Sequence, residues 1–310
     1  MRQGFLCASL IVACALSGCG GTHEVGTTTS AARGSRPSFA GKPSPTYPSQ
    51  LHVSLEGQLT PDDVAIYMAK EKGYFADVGL TVFFSAPVAP RRPVPYVAAY
   101  TDDIAITQQP QVALGKENGA PIVAVGSLIS QPTAAMIWLK GSGIREIADL
   151  KGKTIAVPGI PYQEEMLDSV LERAGVEPDE VEVKQFGYRV LPALLHGKAD
   201  AIFGGSWNIE GVALRKLGKE PVIKRVQDLG VPDYDEVVVI TRSDRAAREP
   251  DVVRKFIAGL RRGVAAVKRD PELAVELLQR SPHEFVLGKR VLAAQMQATL
   301  PLLSAPTAGG

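Results

Sequence analysis

The chain has 310 residues and a formal charge of +1, and 45% of its residues are hydrophobic while 22% are charged. This length suggests about two domains, and the composition is that of a soluble globular protein, which excludes a disordered or polytopic membrane chain. A balance of 34 basic to 33 acidic residues argues against nucleic acid as a partner, because phosphate binding needs a basic excess. We therefore expect small molecules or proteins as partners.

The cysteines and the missing motifs exclude several enzyme classes. All three cysteines, Cys7, Cys14 and Cys19, lie near the amino terminus. The rest of the chain can therefore form no disulfide, thiolate metal site or cysteine nucleophile. The histidines lack metal-ligand spacing, and the usual motifs for acyl transfer, nucleotide hydrolysis and dinucleotide binding are absent. We expect no metal, no cofactor and no catalytic residue.

Residues 1–18 have the features of a secretory signal peptide. One positive charge precedes an apolar run over 5–16, which is too short to span a bilayer but typical of the apolar core of a signal. The following Leu16-Ser17-Gly18-Cys19 resembles the lipobox of bacterial lipoproteins. The resemblance implies that Cys19 becomes the lipidated first residue of the mature chain; the alternative is an ordinary signal peptide with a chance cysteine.

Residues 19–49 are predicted to form the lipidated cysteine and a flexible tether. They are rich in Gly, Thr, Ser, Ala and Pro and show no apolar periodicity, so they cannot bury enough surface to offset the entropy lost on ordering. Such a segment reaches roughly 30 Å. We expect a folded body held by a lipid anchor at the periplasmic side or outer face of the cell membrane.

The folded body opens with strands that alternate with helices. A helix is expected after Leu59, because Thr60 is a suitable N-cap, Pro61 suits the first helical position and Asp63 completes a capping box. Strands separated by helices indicate parallel βαβ units. The strands predicted in this part are 52–55, 80–84, 104–107, 122–128 and 134–139.

A second run of the same pattern indicates a second lobe, followed by a helical end. Its strands are predicted at 154–157, 181–185, 201–203 and 222–226, with a last strand at 237–241. From Val253 onward, apolar residues recur at intervals of three and four, as in an amphipathic helix. We predict an α/β fold of two lobes, with residues 50–138 plus 238–310 as lobe I and 139–237 as lobe II. Ligands of such folds bind at the carboxyl ends of the strands.

The strongest candidate site is Gly204-Gly205-Ser206-Trp207-Asn208-Ile209-Glu210-Gly211, where a strand passes into a helix. Gly205 lets a ligand approach the backbone, and Trp207 offers a stacking face. Asn208 supplies a donor and Glu210 an anionic acceptor, and Trp207 and Glu210 are three residues apart, so they can face the same side. A core tryptophan beside a solvated glutamate is the alternative.

Further polar and aromatic side chains at strand ends are expected to face the same cleft. In lobe I these are Asp62, Asp63 and Tyr67 on the first helix, and Gln108 and Gln109 after the third strand. Each of them alone could be a helix cap or a solvated side chain, so the prediction depends on their convergence. In lobe II the corresponding residues are Tyr162 and Tyr188.

Several segments resemble the NMT1/THI5-like, thiamine-precursor substrate-binding proteins of ABC importers. They are Tyr67-Met68-Ala69-Lys70-Glu71-Lys72-Gly73-Tyr74-Phe75, Asp149-Leu150-Lys151-Gly152-Lys153-Thr154-Ile155, Trp207-Asn208-Ile209-Glu210-Gly211 and Gly230-Val231-Pro232-Asp233-Tyr234-Asp235-Glu236. The resemblance implies a periplasmic-binding-protein type II fold, in which a hinge lets a monomer close on its ligand and then dock on permease subunits. It also implies that Trp207 and Glu210 lie at the pyrimidine site.

The resemblance leads us to expect an extracytoplasmic binding protein and not an enzyme. Its ligand would be a thiamine pyrimidine precursor of the formylaminopyrimidine or hydroxymethylpyrimidine type. Riboflavin or a sulfonate such as taurine is the alternative, although a sulfonate would favour a cationic cleft over Glu210. Eukaryotic relatives that synthesise the pyrimidine carry a cysteine-rich motif, whereas this chain has no cysteine after Cys19.

Overall fold

The computed structural model describes residues 49–57, 59–85, 93–280 and 287–306, all of which belong to one compact unit. The predicted signal peptide and the lipidation site at Cys19 lie outside these residues, as does the tether except for its last residue, Ser49, which opens the first strand. None of the helices in the described ranges is long and apolar enough to cross a membrane.

The first part of the chain supplies four strands and three helices. They are β1 (Ser49–Leu55), α1 (Val64–Glu71), β2 (Leu80–Ser85), α2 (Pro93–Ala98), β3 (Ile104–Thr107), α3 (Gln109–Glu117) and β4 (Ile122–Ile129). The sequence predicted each strand to within a few residues but missed α2, whose two prolines are unusual in a helix.

The remaining elements complete the alternation and add the helical end. The middle of the chain forms β5 (Ala134–Leu139), β6 (Thr154–Val157), α4 (Pro161–Arg173), β7 (Glu182–Gln185), α5 (Val190–Leu195), β8 (Ala201–Ser206), α6 (Glu210–Lys216) and β9 (Pro221–Arg225). The end of the chain forms β10 (Val237–Arg242), α7 (Ser243–Arg248), α8 (Pro250–Arg269), α9 (Pro271–Arg280) and α10 (Lys289–Thr299).

The strands form two mixed sheets with the same design. The first has the order β2-β1-β3-β10-β4 and the second the order β7-β6-β8-β5-β9. In the first sheet β10 runs antiparallel to both of its neighbours, and β5 does so in the second. Each sheet thus receives one strand from a crossover, and the predicted two-lobed α/β architecture is confirmed.

The first crossover lies earlier than the sequence suggested. The sequence placed β5 in lobe I, but β5 pairs with β8 and β9 in the second sheet. The chain therefore crosses between the sheets at 130–133 and returns between β9 and β10. All but the last residue of β5 are buried, and a strand buried on both faces shows no alternation that would assign it to one sheet.

Helix α1 begins later than its predicted cap. Residues 61–63 form a turn, and the helix starts at Val64. The Thr60 Oγ1 accepts a hydrogen bond from the N–H of Asp62 at 3.2 Å and donates to Oδ2 of Asp63 at 2.9 Å. The turn therefore fixes both aspartates just before the helix, next to the end of β1.

Two helices near the carboxyl end, α8 and α10, pack against the lobes. The backbones of helices α8 and α1 are in direct contact, because a Cβ on Gly263 would collide with the carbonyl oxygen of Ala65. Helix α10 contacts both lobes: Leu292 and Met296 pack in the core of the first, whereas Val291 packs in a core of the second. The sequence assigns the carboxyl end to lobe I, and in the structure α10 packs against the second lobe as well.

Candidate functional site

A cavity of about 260 Å³ lies between the two sheets. Its walls are formed where strands end: Glu56 follows β1, Gln108 follows β3, and Gly204 to Ser206 close β8. This is the position at which open α/β folds bind their ligands. The lobes are also in direct contact across it, because the Tyr188 hydroxyl donates a hydrogen bond to the backbone oxygen of Glu56 at 3.2 Å.

Five carboxyl side chains line the cavity, and no Lys, Arg or His is among the described residues that line it. We call these five the cavity acids: Glu56, Asp62, Asp63, Glu210 and Glu236. Asp62 and Glu236 are buried, and the other three are partly buried. Within the described ranges, no three His, Cys, Asp or Glu side chains are grouped so that they could hold a metal ion.

Burial raises the pKa of every cavity acid, because removing a carboxylate from water disfavours its charged form. The pKa rises to about 8 for Glu56, about 6 for Asp62 and about 7 for Asp63, Glu210 and Glu236. Repulsion between neighbouring carboxylates adds to the effect of burial in four of them; the charge of Asp62, for example, raises the pKa of Asp63, Glu210 and Glu236. Near neutral pH the cavity therefore holds protons as well as negative charge.

Neutral donors hold the three glutamates among these acids. Oε2 of Glu210 accepts a hydrogen bond from the N–H of Ser206 at 2.6 Å, and Oε2 of Glu236 accepts one from the N–H of Thr133 at 2.6 Å. Oε1 of Glu56 accepts one from the Gln111 amide. Since Thr133 lies in the first crossover and Glu236 in the second, their bond joins the two segments that connect the lobes.

A buried polar network joins the lobes behind the cavity. Asn208, which is fully buried, donates from Nδ2 to Oδ1 of Asp62 at 2.7 Å and to Oγ1 of Thr299 at 2.8 Å. Thr299 in turn donates to Asp62 at 3.2 Å. The amide of Gln295 on α10 also donates to the backbone oxygen of Ile209, at 3.0 Å. These contacts fix one cavity acid against elements of the other lobe.

Six of the residues that the sequence singled out line this cavity. At Gly205 a Cβ would lie 2.8 Å from Cγ2 of Ile202 and 3.4 Å from Cγ of Glu210, so glycine allows the close packing of this wall. The ring of Tyr188 lies over Gly57, where a Cβ would be 3.1 Å from Cε1 of the tyrosine. The six are Asp62, Asp63, Gln108, Tyr188, Gly205 and Glu210.

Trp207 and Asn208 are near the cavity but are not among the described residues that line it. The half-buried indole of Trp207 packs against the cores of both lobes, and the guanidinium of Arg225 lies 4.2 Å from the centre of its ring system. The side chain of Asn208 points to Asp62 and Thr299. Both residues support the wall from behind.

The other three expected site residues, Tyr67, Gln109 and Tyr162, are not among the described residues that line the cavity. Tyr67 stacks on Phe84, with 5.0 Å between the ring centres. The side-chain oxygen of Gln109 accepts a hydrogen bond from the N–H of Asp235 at 2.7 Å. Tyr162 is buried, and its hydroxyl accepts a hydrogen bond from Gln163 at 3.3 Å.

Several polar residues of the lining were not in the predicted site, among them Glu56, Thr107, Gln163 and Glu236. Glu56 and Thr107 stand at the carboxyl ends of β1 and β3, so the rule on strand ends could have identified them. Glu236 lies in a crossover without periodicity, and its place depends on tertiary contacts. Gln163 packs against Gly204, whose φ of +80° favours glycine and where a Cβ would collide with the amide.

Several known proteins are similar to this chain over most of its length. A protein of Haemophilus influenzae named for thiamine biosynthesis is 29% identical, with 82% of this chain and 80% of the relative aligned. The formylaminopyrimidine-binding protein of Halalkalibacterium halodurans is also 29% identical, over 77% and 69%. The 4-amino-5-hydroxymethyl-2-methylpyrimidine phosphate synthase of Schizosaccharomyces pombe is 24% identical, over 77% and 69%.

Solved structures establish the fold type. The periplasmic aliphatic sulphonate binding protein SsuA from Escherichia coli superimposes with a TM-score of 0.66 at 17% identity, over 84% of this chain and 85% of that one. Together with the two sheets and the double crossover, this confirms the expected periplasmic-binding-protein type II fold. The NMT1/THI5-like family profile matches residues 60–274, and the chain belongs to that family.

Proposed function

We propose that the protein is the extracytoplasmic binding component of an ABC importer and captures a thiamine pyrimidine precursor of the formylaminopyrimidine or hydroxymethylpyrimidine type. The observation that carries the proposal is the lining of the cavity by five carboxyl groups without a basic side chain among the described lining residues. The name of the 29% identical formylaminopyrimidine-binding relative supports it.

The chemistry of an aminopyrimidine suits this lining. The ring carries an exocyclic amino group that donates hydrogen bonds and ring nitrogens that accept them. Glu210 and Asp63 offer acceptors, Gln108 offers an amide, and the ring of Tyr188 forms an aromatic wall. A hydrogen bond to a charged group contributes about 1.5–3 kcal/mol, so two such bonds and apolar contact approach the ~8 kcal/mol of micromolar affinity.

The size of the cavity favours a ligand with one ring. Its volume of about 260 Å³ lies just below the ~300–1,000 Å³ that is usual for small-molecule sites. An aminopyrimidine with a short substituent is of matching size. Riboflavin has three fused rings and a ribityl chain, so this volume does not support riboflavin as the ligand.

The charge of the cavity argues against a sulfonate. The structural neighbour from Escherichia coli is named as a sulphonate binder, but the fold alone does not transfer a ligand. A sulfonate would bring a permanent negative charge among the cavity acids, and no Lys, Arg or His within the described lining could balance it. Burying an unbalanced charge is strongly unfavourable.

We propose binding without chemical change, although one relative is named as a pyrimidine phosphate synthase. The cysteine-rich motif of the eukaryotic synthases has no counterpart here, because the chain has no cysteine after Cys19. Incubation of the purified protein with pyridoxal phosphate and iron should yield no pyrimidine. Formation of a pyrimidine under these conditions would contradict the binding function.

We also propose that a signal peptide directs the chain out of the cytoplasm, that Cys19 carries the lipid anchor and that the monomer delivers its ligand to permease subunits. The support is the sequence Leu16-Ser17-Gly18-Cys19 after an apolar run. Labelling of cells with a radioactive fatty acid should mark the wild-type protein and not a Cys19→Ala variant. Equal labelling of both would contradict the anchor.

Calorimetric titration with formylaminopyrimidine, hydroxymethylpyrimidine, riboflavin and taurine tests the ligand class. We expect one of the pyrimidines to bind at about micromolar Kd or tighter and the other two compounds not to bind. Glu210→Gln should weaken binding by about tenfold or more, since it removes a charged acceptor. Trp207→Phe is the matched control, because Trp207 supports the wall from behind; a larger loss for this variant than for Glu210→Gln would contradict our assignment.

A further inference from the structure

The charges around the cavity do not balance. The cavity acids come from four places in the fold, namely the end of β1, the turn before α1, the start of α6 and the second crossover. Among the described groups that shift the pKa of these five carboxyls, the charged ones are other cavity acids and none is a Lys, Arg or His. Near Glu236 the remaining titratable groups are the phenols of Tyr162 and Tyr234.

Several acids elsewhere in the fold have cations beside them. Asp103 pairs with Arg245, Asp244 lies 2.8 Å from Arg242, and Asp77 lies 2.7 Å from Arg262. The chain therefore has ample basic side chains, and its folding leaves the cavity acids without them. A buried carboxyl group normally has a paired charge or a metal, or it takes up a proton. The cavity acids have no cation of the protein beside them, so a cationic ligand can take the place of the protons that they hold.

A second observation, independent of the acids, also indicates that the ligand brings donors. Thr107 and Gln163 line the cavity and are only 2% and 3% exposed. Oγ1 of Thr107 and Oε1 of Gln163 are buried, and neither atom has a hydrogen-bond partner in the described part of the chain. Oε2 of Glu56 is likewise buried and unpartnered. Buried polar atoms are normally satisfied, and all three of these can accept hydrogen bonds.

An ammonium group meets both requirements. It carries one positive charge and three N–H donors and has no acceptor. A divalent metal ion would need several ligands at short distance, and the described residues offer no group of three acids that could hold one. The neutral formylamino or hydroxymethyl substituent of a pyrimidine precursor supplies fewer donors and no charge.

We infer that the cavity selects a cationic aminopyrimidine, in which a primary ammonium group is attached to the ring through a methylene, over the neutral members of the same class. This inference rests on the proposed function and narrows its substrate class. The ring occupies the site beside Tyr188, and the ammonium group lies among the cavity acids, where it donates to carboxylates and to the unpartnered oxygens.

Such a ligand changes the protonation of the site. A cation among carboxyl groups lowers their pKa values, so acids that hold protons in the empty cavity release them on binding. The affinity for the cation should therefore rise between pH 6 and 8 relative to the affinity for a neutral analogue. Both ligands share the ring, so the ratio of their affinities largely cancels the titration of the ring itself.

Calorimetric titration of the wild-type protein with 4-amino-5-aminomethyl-2-methylpyrimidine and with its hydroxymethyl and formylaminomethyl analogues tests the inference. We expect the aminomethyl compound to bind about tenfold tighter or more, which corresponds to ~1.4 kcal/mol. Titration at pH 7 in two buffers of different ionisation enthalpy should show proton release for this compound alone. Equal or tighter binding of a neutral analogue overturns the inference and leaves the proposed function intact, whereas no binding of any of the three overturns both.

Glu56→Gln and Glu236→Gln separate charge from shape, since glutamine keeps the size of the side chain. Each should lower the affinity for the aminomethyl compound by at least about threefold more than it lowers the affinity for the hydroxymethyl compound, a difference of ~0.7 kcal/mol. Asp244→Asn lies at the end of the first sheet that is away from the cavity. It is the matched control and should change the affinity for neither compound. Thermal unfolding shows whether each variant is folded. An unchanged preference in both folded glutamine variants contradicts the inference.

Discussion

The two ends of the first sheet carry carboxyl groups in opposite surroundings. At one end lie the cavity acids other than Glu210, and at the other lie Asp103, which precedes β3, and Asp244, which follows β10. Burial raises the pKa of Glu56 to about 8. By contrast, hydrogen bonds from Tyr100 and Arg242, with the nearby charges of Arg242 and Arg248, lower the pKa of Asp244 to about 2.

Arginines lie beside the carboxylates at the end of the first sheet that is away from the cavity, which we call the outer end. The guanidinium of Arg242 lies 3.7 Å from the ring centre of Tyr100 and 2.8 Å from Asp244, and the Tyr100 hydroxyl donates to Asp244 at 2.7 Å. Arg245 pairs with Asp103. These carboxylates are satisfied by the protein itself. The cavity acids have only neutral donors. The comparison teaches that the same residue type is paired with cations at one end and left without them at the other, where we propose that it meets a ligand.

The largest expected effect concerns Asp62, whose carboxylate accepts hydrogen bonds from neutral side chains and has no cation beside it. Asn208→Leu keeps the branched shape of the side chain but removes two hydrogen bonds in a fully buried position. We expect the free energy of unfolding to fall by about 2–3 kcal/mol, because buried polar groups lose their donor. Urea unfolding monitored by circular dichroism measures the change.

Arg245→Leu is the matched variant at the outer end, where the side chains of the pair are 21% and 24% exposed. It should lower the free energy of unfolding by about 1 kcal/mol or less, as for other ion pairs near the surface. A larger loss for Arg245→Leu than for Asn208→Leu would break the comparison.

The next effect is the dependence of stability on pH. The cavity acids have folded-state pKa values of about 6 to 8, above the ~4 of an unfolded chain. Between these values the folded protein holds protons that the unfolded chain has released, so stability falls as the pH rises. This contribution is complete below pH ~4 and is lost through pH 6 to 8. The Tm of the ligand-free protein should fall by several degrees, at about 2–4 °C per kcal/mol.

The same measurement on two variants separates the two regions. Glu56→Gln should reduce the fall in Tm between pH 6 and 8.5, because one raised pKa is removed. Asp244→Asn should lower the Tm by the same amount throughout this window, so that the fall with pH is unchanged. Its difference from wild type should disappear in acid, where a carboxyl with a pKa lowered to about 2 loses its contribution as the pH falls. Scanning calorimetry across pH 2 to 8.5 gives both results, and a change of the pH dependence in the same window for both variants would contradict the assignment.

The smallest effect concerns the contact that spans the cavity. Tyr188→Phe removes the hydrogen bond from the tyrosine hydroxyl to the backbone of Glu56 and should weaken ligand binding by about threefold, or ~0.7 kcal/mol. Gly57→Ala places a Cβ 3.1 Å from the tyrosine ring, so the ring must shift and the loss of affinity should be greater. Fluorescence titration measures the ligand affinity of both variants. An unchanged affinity in both would show that the contact between Tyr188 and Glu56 does not help to hold the ligand.

By itself the sequence determined the alternation of strands and helices, the two-lobed fold and the family. Local rules gave the alternation and the fold, and the resemblance of several segments to family members gave the family. The polar groups at strand ends, such as Glu210 and Gln108, follow from where each strand stops. The tertiary structure decided that β5 belongs to the second sheet, because a strand buried on both faces has no pattern that names its partners. It also placed Trp207 behind the wall and left the cavity acids without cations, since burial and neighbouring charges depend on contacts between residues far apart in the chain.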